Sequence, residues 1–107
     1  DQQPKRGGGE FVPFFGIPAL TLSLIAKLAN RSGAPVLFSF CERNDDGTFD
    51  VYIEADEPGL RNPDLLAAMS VMNKRVQAMA ERDFRQYQWT YKRYSIRPDP
   101  SEKNPYK

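Results

Sequence analysis

One domain is the most that 107 residues can build, and a chain of this size buries only about 60–70% of the surface it exposes when unfolded. Hydrophobic residues at 40%, charged residues at 27% and a formal net charge of +1 describe an ordinary globular composition, neither disordered nor collagenous. With no histidine and one cysteine, these residues form no histidine acid–base pair, no histidine or cysteine zinc cluster and no internal disulfide. The longest apolar stretch, 17–29, contains Thr21, Ser23 and Lys27 and is too short and too polar to span a bilayer. No signal peptide is visible. The opening, Asp1-Gln2-Gln3-Pro4, reads as the middle of a longer protein, so the expectation is a fragment whose missing histidines lie elsewhere.

In chain order, Lys5-Arg6-Gly7-Gly8-Gly9 holds too much glycine for a helix or strand interior and predicts a loop. Residues 10–15 suit a short buried strand. Pro13 removes a ladder donor and places it at an edge, a strand end or a loop. Gly16-Ile17-Pro18 then turns the chain. Leu20, Leu24 and Leu28 recur every four residues with Ile25 beside them, which predicts a helix over 19–32. Gly33 suits the left-handed position after it, and Pro35 prevents its continuation.

Residues 36–41 are apolar and aromatic and read as a central strand. Asn44-Asp45-Asp46-Gly47 is a turn, and 48–55 alternate, with Phe49, Val51 and Ile53 on one face and Asp50, Tyr52 and Glu54 on the other. The two strands form a hairpin. Asn62 is the expected N-cap of the next helix, with Pro63 at its first position and Asp64 in its first turn. Leu65, Met69, Met72, Val76 and Met79 mark one face of that helix to about Arg82. A second, short helix is expected over 84–94, and the prolines at 98, 100 and 105 make the end irregular. The order strand–helix–strand–strand–helix predicts the α/β class: a layered mixed sheet with flanking helices, parallel across the first crossover and antiparallel in the hairpin. Three stretches are expected within one domain: a motif loop over 1–18, a strand–helix core over 19–82 and an aromatic–basic tail over 83–107.

Charge divides the chain. Residues 42–64 carry eight acidic and two basic groups, a balance of −6, whereas 82–107 carry seven basic and three acidic groups, a balance of +4. The segment 84–94 holds five of the thirteen aromatic residues, among them the only tryptophan, Trp89, interleaved with Arg85, Lys92 and Arg93. Such a mixture suits nucleic-acid stacking, a membrane interface or an acidic partner, and equally a helix with a buried aromatic face and a solvated basic one. Lys5 to Gly9 offers backbone N–H groups to a phosphate but lacks the Gly-Lys-Ser/Thr of a P-loop, so a plain connection fits it as well. Cys41 is read as a small core residue, and the acidic run around Asp45, Asp46 and Asp50 as a solvated turn without the calcium-loop ligand pattern.

Two motifs carry a family resemblance. Asp1-Gln2, a basic glycine-containing loop and Phe11-Val12-Pro13-Phe14-Phe15-Gly16 stand at one end. Met72-Asn73 and then Gln86-Tyr87-x-Trp89-x-x-Lys92-Arg93-Tyr94-x-x-Arg97-Pro98 stand at the other. In this the chain resembles the late acyltransferases of lipid A biosynthesis, the lauroyl/myristoyl transferases of the lysophospholipid acyltransferase-like superfamily. The resemblance covers essentially all 107 residues and implies the C-terminal part of a catalytic domain whose membrane anchor and His-x-x-x-x-Asp/Glu motif lie upstream.

It implies transfer of a fatty acyl chain from acyl carrier protein to a lipid A precursor at the cytoplasmic face of the bacterial inner membrane, with no cofactor, no metal and no nucleic acid. The upstream histidine would be the base, and Asp1 an active-site carboxylate in a supporting role. Lys5 and Arg6 would face substrate phosphates, and Trp89, Lys92 and Arg93 would contribute to substrate binding. Phe11, Phe14, Phe15 and Ile17 either pack the core, the favoured reading, or border an acyl-chain groove. Thr21 and Ser23 are fewer hydroxyls than relatives carry after the Pro-Phe-Phe motif. Two other readings stand beside this one: a nucleic-acid-binding module, whose strand order loosely resembles an RNA-recognition domain, and a protein-interaction module anchored by the aromatic tail. The modest net charge and the lack of an aromatic–glycine strand signature weigh against the first of these.

Overall fold

The computed structural model describes residues 2–107. In chain order these build β1 (Gly9–Phe14), β2 (Ile17–Leu22), α1 (Leu24–Ser32), β3 (Leu37–Arg43), β4 (Phe49–Ala55), a 3-10 turn (Pro58–Arg61) and α2 (Leu65–Arg82). The composition is mixed α/β, as the sequence predicts. The pairing is more local than predicted: β1 pairs β2 and β3 pairs β4, both antiparallel, as two separate two-stranded sheets. Among the described residues there is no parallel crossover and no four-stranded platform of the RNA-recognition kind.

The difference arises at residues 17–22, expected to open a helix and found as a strand. Phe15 and Gly16 both take positive φ, 49° and 75°, as a two-residue hairpin turn requires. This turn sets Phe14 opposite Ile17 and Pro13 opposite Pro18. In that register the proline pair exchanges no backbone hydrogen bonds, so neither ring removes a ladder donor. Pairing along six residues outweighs the four-residue leucine spacing that suggested a helix.

The helix starts at Leu24 and ends as predicted, with Gly33 at φ 66° returning its N–H to the Ala29 carbonyl at 3.0 Å. Its buried face is Ala26 and Ala29, while Leu24, Ile25 and Leu28 are exposed. Small residues let α1 lie close against α2, where Ala26 joins Val12, Ala68 and Met69, with Leu65 packed on them. Asp64, not Asn62, caps α2: its carboxylate accepts from the N–H groups of Leu66 (3.0 Å) and Ala67 (3.3 Å), and Asn62 Oδ1 accepts from Asp64 N–H one step earlier.

A two-stranded hairpin is marginal alone and needs a helix behind it. For β3–β4 that support is cationic. Arg82 lies 4.6 Å over Phe40 and 4.2 Å over Tyr52, whose rings stack at 4.8 Å; Arg75 lies over Phe38, and Glu54 receives both arginines. The opposite face, with Leu37, Cys41, Phe49, Val51 and Ile53, is exposed. β3 is therefore an edge strand of a two-stranded sheet, not the central strand expected; β4 turns its apolar alternation to solvent, and Cys41 lies outside the core. Residues 84–94 do not continue as a helix. Asp83 ends α2 in an extended conformation, and its carboxylate accepts from Arg85 N–H, which favours a turn over another helical residue.

Candidate functional site

The two ends of the chain meet. Gln3 N–H donates to the Tyr91 hydroxyl at 2.8 Å, Gln3 Nε2 donates to the Arg93 carbonyl at 3.3 Å, and the Ser95 hydroxyl donates to Gln3 Oε1 at 2.8 Å. Three residues on, Arg6 Nη2 donates to the Arg97 carbonyl at 3.0 Å. The strap places Gln2 and Gln3 beside Gln86, Tyr87, Gln88 and Tyr91, around a cleft of about 460 Å³.

Behind the strap lies a buried polar network. Arg93 is 2% exposed; one guanidinium nitrogen donates to the Leu20 carbonyl and the other to Thr21 Oγ1 at 2.8 Å. Asn73 Nδ2 donates to the same hydroxyl at 3.0 Å and to the Pro13 carbonyl at 3.1 Å, and the Tyr94 hydroxyl donates to the Phe14 carbonyl at 2.8 Å. Side chains from α2 and the tail thus satisfy backbone carbonyls of the first hairpin, in a region where an unpaired acceptor is costly. Burial lowers the Arg93 pKa from its ordinary value and raises those of Tyr87 and Tyr94.

An apolar cavity of about 240 Å³ touches this network. It is lined by Thr21, Leu22, Ile25, Met72, Asn73 and Val76, with Gln2 at its border. Ile25, Met72 and Val76 also line a larger cavity, about 450 Å³, that runs between α2 and β3 past Phe38, Phe40 and Met79. Gln2 therefore stands between a cleft lined by glutamine and tyrosine side chains and an apolar cavity.

The predicted site residues are distributed unequally around this place. Asp1 lies outside the described residues. Lys5 and Arg6 are exposed, and the loop they open closes as a turn, Gly8 N–H to the Lys5 carbonyl at 2.9 Å, which takes one of the amides suggested for a phosphate. Trp89 and Lys92 are exposed, while Arg93 has its guanidinium inside the network. Phe14 is fully buried, with its ring 5.6 Å beneath the Arg93 guanidinium, in line with the core reading; Ile17 is half-exposed.

Residue-by-residue reading missed Gln3, Thr21 and Gln86. Asn73 carried a signal: it is a polar residue placed between Met69, Met72 and Val76 on the buried face of α2. Gln86 has a specific task. Its Oε1 accepts from Arg43 N–H at 2.7 Å and its Nε2 donates to the Arg43 carbonyl at 3.0 Å, so one side-chain amide pairs with the edge of β3 as a strand would.

Asp83 anchors that amide and the start of the tail. Arg85 bonding holds its carboxyl at about 2, below the ordinary 3.8, with Gln86 adding to the effect. A depressed carboxylate contributes its stability in full above the ordinary value and loses it as pH falls through the folded one. The Arg43 and Gln86 amide resonances should therefore hold their positions down to pH 4 and move with a midpoint near 2. A midpoint near 4 in an NMR titration would remove Asp83 from this role.

The sequence profile described as bacterial lipid A biosynthesis acyltransferase matches residues 1–95, which takes in the first motif, the second as far as Tyr94, and every strand and helix of the described residues. A search of curated proteins returns no match. A match over most of the chain, with the two motifs strapped together around one cleft, shows that the chain belongs to the bacterial lipid A biosynthesis acyltransferase family.

Proposed function

We propose that this chain is the acceptor- and chain-holding portion of an enzyme that moves a fatty acyl group from acyl carrier protein to a lipid A precursor at the cytoplasmic face of the inner membrane. The observation that carries this reading is the junction at Gln2, where a cleft lined by glutamine and tyrosine side chains meets an apolar cavity. A reaction that joins a hydroxyl on a polar headgroup to a hydrocarbon chain needs both environments at one point, with the reacting atoms held in place between them. Asp1, next to Gln2 in sequence, is the supporting carboxylate in this reading.

The step needs a base that these 107 residues do not hold, since histidine is missing from them. In this reading a His-x-x-x-x-Asp/Glu motif elsewhere in the parent protein takes the proton of the acceptor hydroxyl. The hydroxyl oxygen then attacks the thioester carbonyl, and the oxyanion collapses with cleavage of the carbon–sulfur bond. The carrier thiolate leaves and recovers the proton. Lys5 and Arg6 face the acceptor phosphates, and Trp89 and Lys92 meet the substrate from the exposed side of the tail. Arg93, enclosed, positions β2 along the apolar cavity.

The test is acyl transfer from acyl carrier protein to a lipid A precursor in detergent. The 107-residue chain alone should give no turnover above background. The parent enzyme carrying Asp1→Asn should lose on the order of a hundredfold in kcat. Enzymatic turnover by the isolated chain, or an Asp1→Asn enzyme as fast as the unaltered one, would overturn the reading.

A further inference from the structure

A second feature of the tail adjoins the cleft, with Trp89 edge-on to Tyr87 at 4.6 Å. At the tip of the first hairpin Phe15 holds a positive φ of 49°, unusual for a bulky residue, and its N–H donates to Gln77 Oε1 at 2.9 Å. Its ring lies 6.1 Å from Phe84 and 5.7 Å from Trp89, and Phe84 and Trp89 lie near-parallel at 6.0 Å. The hairpin tip therefore props up two rings that arrive from the far end of the chain.

Propped there, they are not covered. Phe84 is 50% exposed, Trp89 48%, and Ile17, next to the tip, 45%. The one polar atom of the indole is turned inward, Nε1 donating to the Phe84 carbonyl at 2.6 Å, so what Trp89 presents outward is hydrocarbon. Arg85 and Lys92 flank these rings in sequence, in a stretch whose balance is +4.

The geometry points to a membrane-docking patch, in which Ile17, Phe84 and Trp89 enter the headgroup region of a bilayer and the basic tail meets anionic lipid. The assignment rests on the membrane-surface reading above and names the surface that serves it. Exposed aromatic rings in a stretch of net positive charge match the lipid boundary in both polarity and charge. An acidic protein would match the cations but gain little from rings whose polar atom points inward.

Trp89 is the chain's only tryptophan, so it reports on its own patch. The 107-residue chain is titrated with vesicles of phosphatidylcholine and phosphatidylglycerol. Its emission should shift to the blue and be quenched by lipids brominated close to the headgroup. Phosphatidylcholine alone should bind more weakly. Phe84→Ser and Ile17→Ser, which keep the tryptophan, should each weaken vesicle affinity by about tenfold with the circular dichroism spectrum unchanged. Emission unaltered at saturating lipid, vesicle affinity unaltered in both variants, or a response to acyl carrier protein in place of vesicles would each overturn the assignment. The transfer assay in detergent needs no bilayer at Ile17 or Phe84, so a failure here is distinguishable from a failure of the acyltransferase reading.

Discussion

Replacing Arg93 with methionine should destabilise the chain by about 3 kcal/mol, because it removes charged donors from two buried acceptors while keeping an apolar stem of similar length. The Leu20 carbonyl and Thr21 Oγ1 would both lose a partner, and burial leaves no water to take its place. Against the 5–15 kcal/mol that holds a typical domain together, this is a large fraction. Lysine should restore only part of it, since a single ammonium cannot reach two acceptors as a planar fork does. Thr21→Val should cost less alone and should be non-additive with Arg93→Met, since the hydroxyl serves both Arg93 and Asn73. Guanidinium unfolding of the single and double variants measures all of this. A loss below about 1 kcal/mol for Arg93→Met would place Arg93 with ordinary surface cations and leave the strap to be explained otherwise.

Gly9→Ala should be at least as damaging. A β-carbon at this position would stand 2.8 Å from the Thr21 carbonyl carbon, closer still to its oxygen, and 2.9 Å from Pro4 Cγ. Backbone on the partner strand cannot swing aside as a side chain can, so β1 and β2 must separate where Gly9 faces Leu22. The expected cost is about 3 kcal/mol or more. Gly7→Ala meets nothing within 4 Å and carries only the strain of its φ of 88°, about 1–2 kcal/mol. The same unfolding series ranks the two. A Gly9→Ala protein as stable as the unaltered chain would mean that the first hairpin opens at its base without consequence.

These two sites show what the sequence made legible and what it did not. Signals confined to a few residues were readable: the left-handed Gly33, the Asn44–Gly47 turn, the end of α2 at Arg82. The motifs at the two ends could be read as a family resemblance, because they are dense in residue types that rarely cluster. Features decided by distant partners could not be read. The leucine spacing over 20–28 is as good a helix as any, and only β1 makes part of it a strand. Arg93 looks like a surface cation until Leu20 and Thr21, more than seventy residues away, close around it. The run Gly7-Gly8-Gly9 reads as uniform slack, yet one member needs its backbone angle and another needs its missing side chain.

The Gln86 amide has a consequence for how this chain meets copies of itself. A strand edge recruits another strand through its unpaired backbone groups. On β3 that edge is closed at one end, where Gln86 takes both backbone groups of Arg43. A newcomer on that side must expel a side chain before it can register. Among the described residues, β4 has no such plug. Uncontrolled polymerisation of this hairpin therefore has one open side.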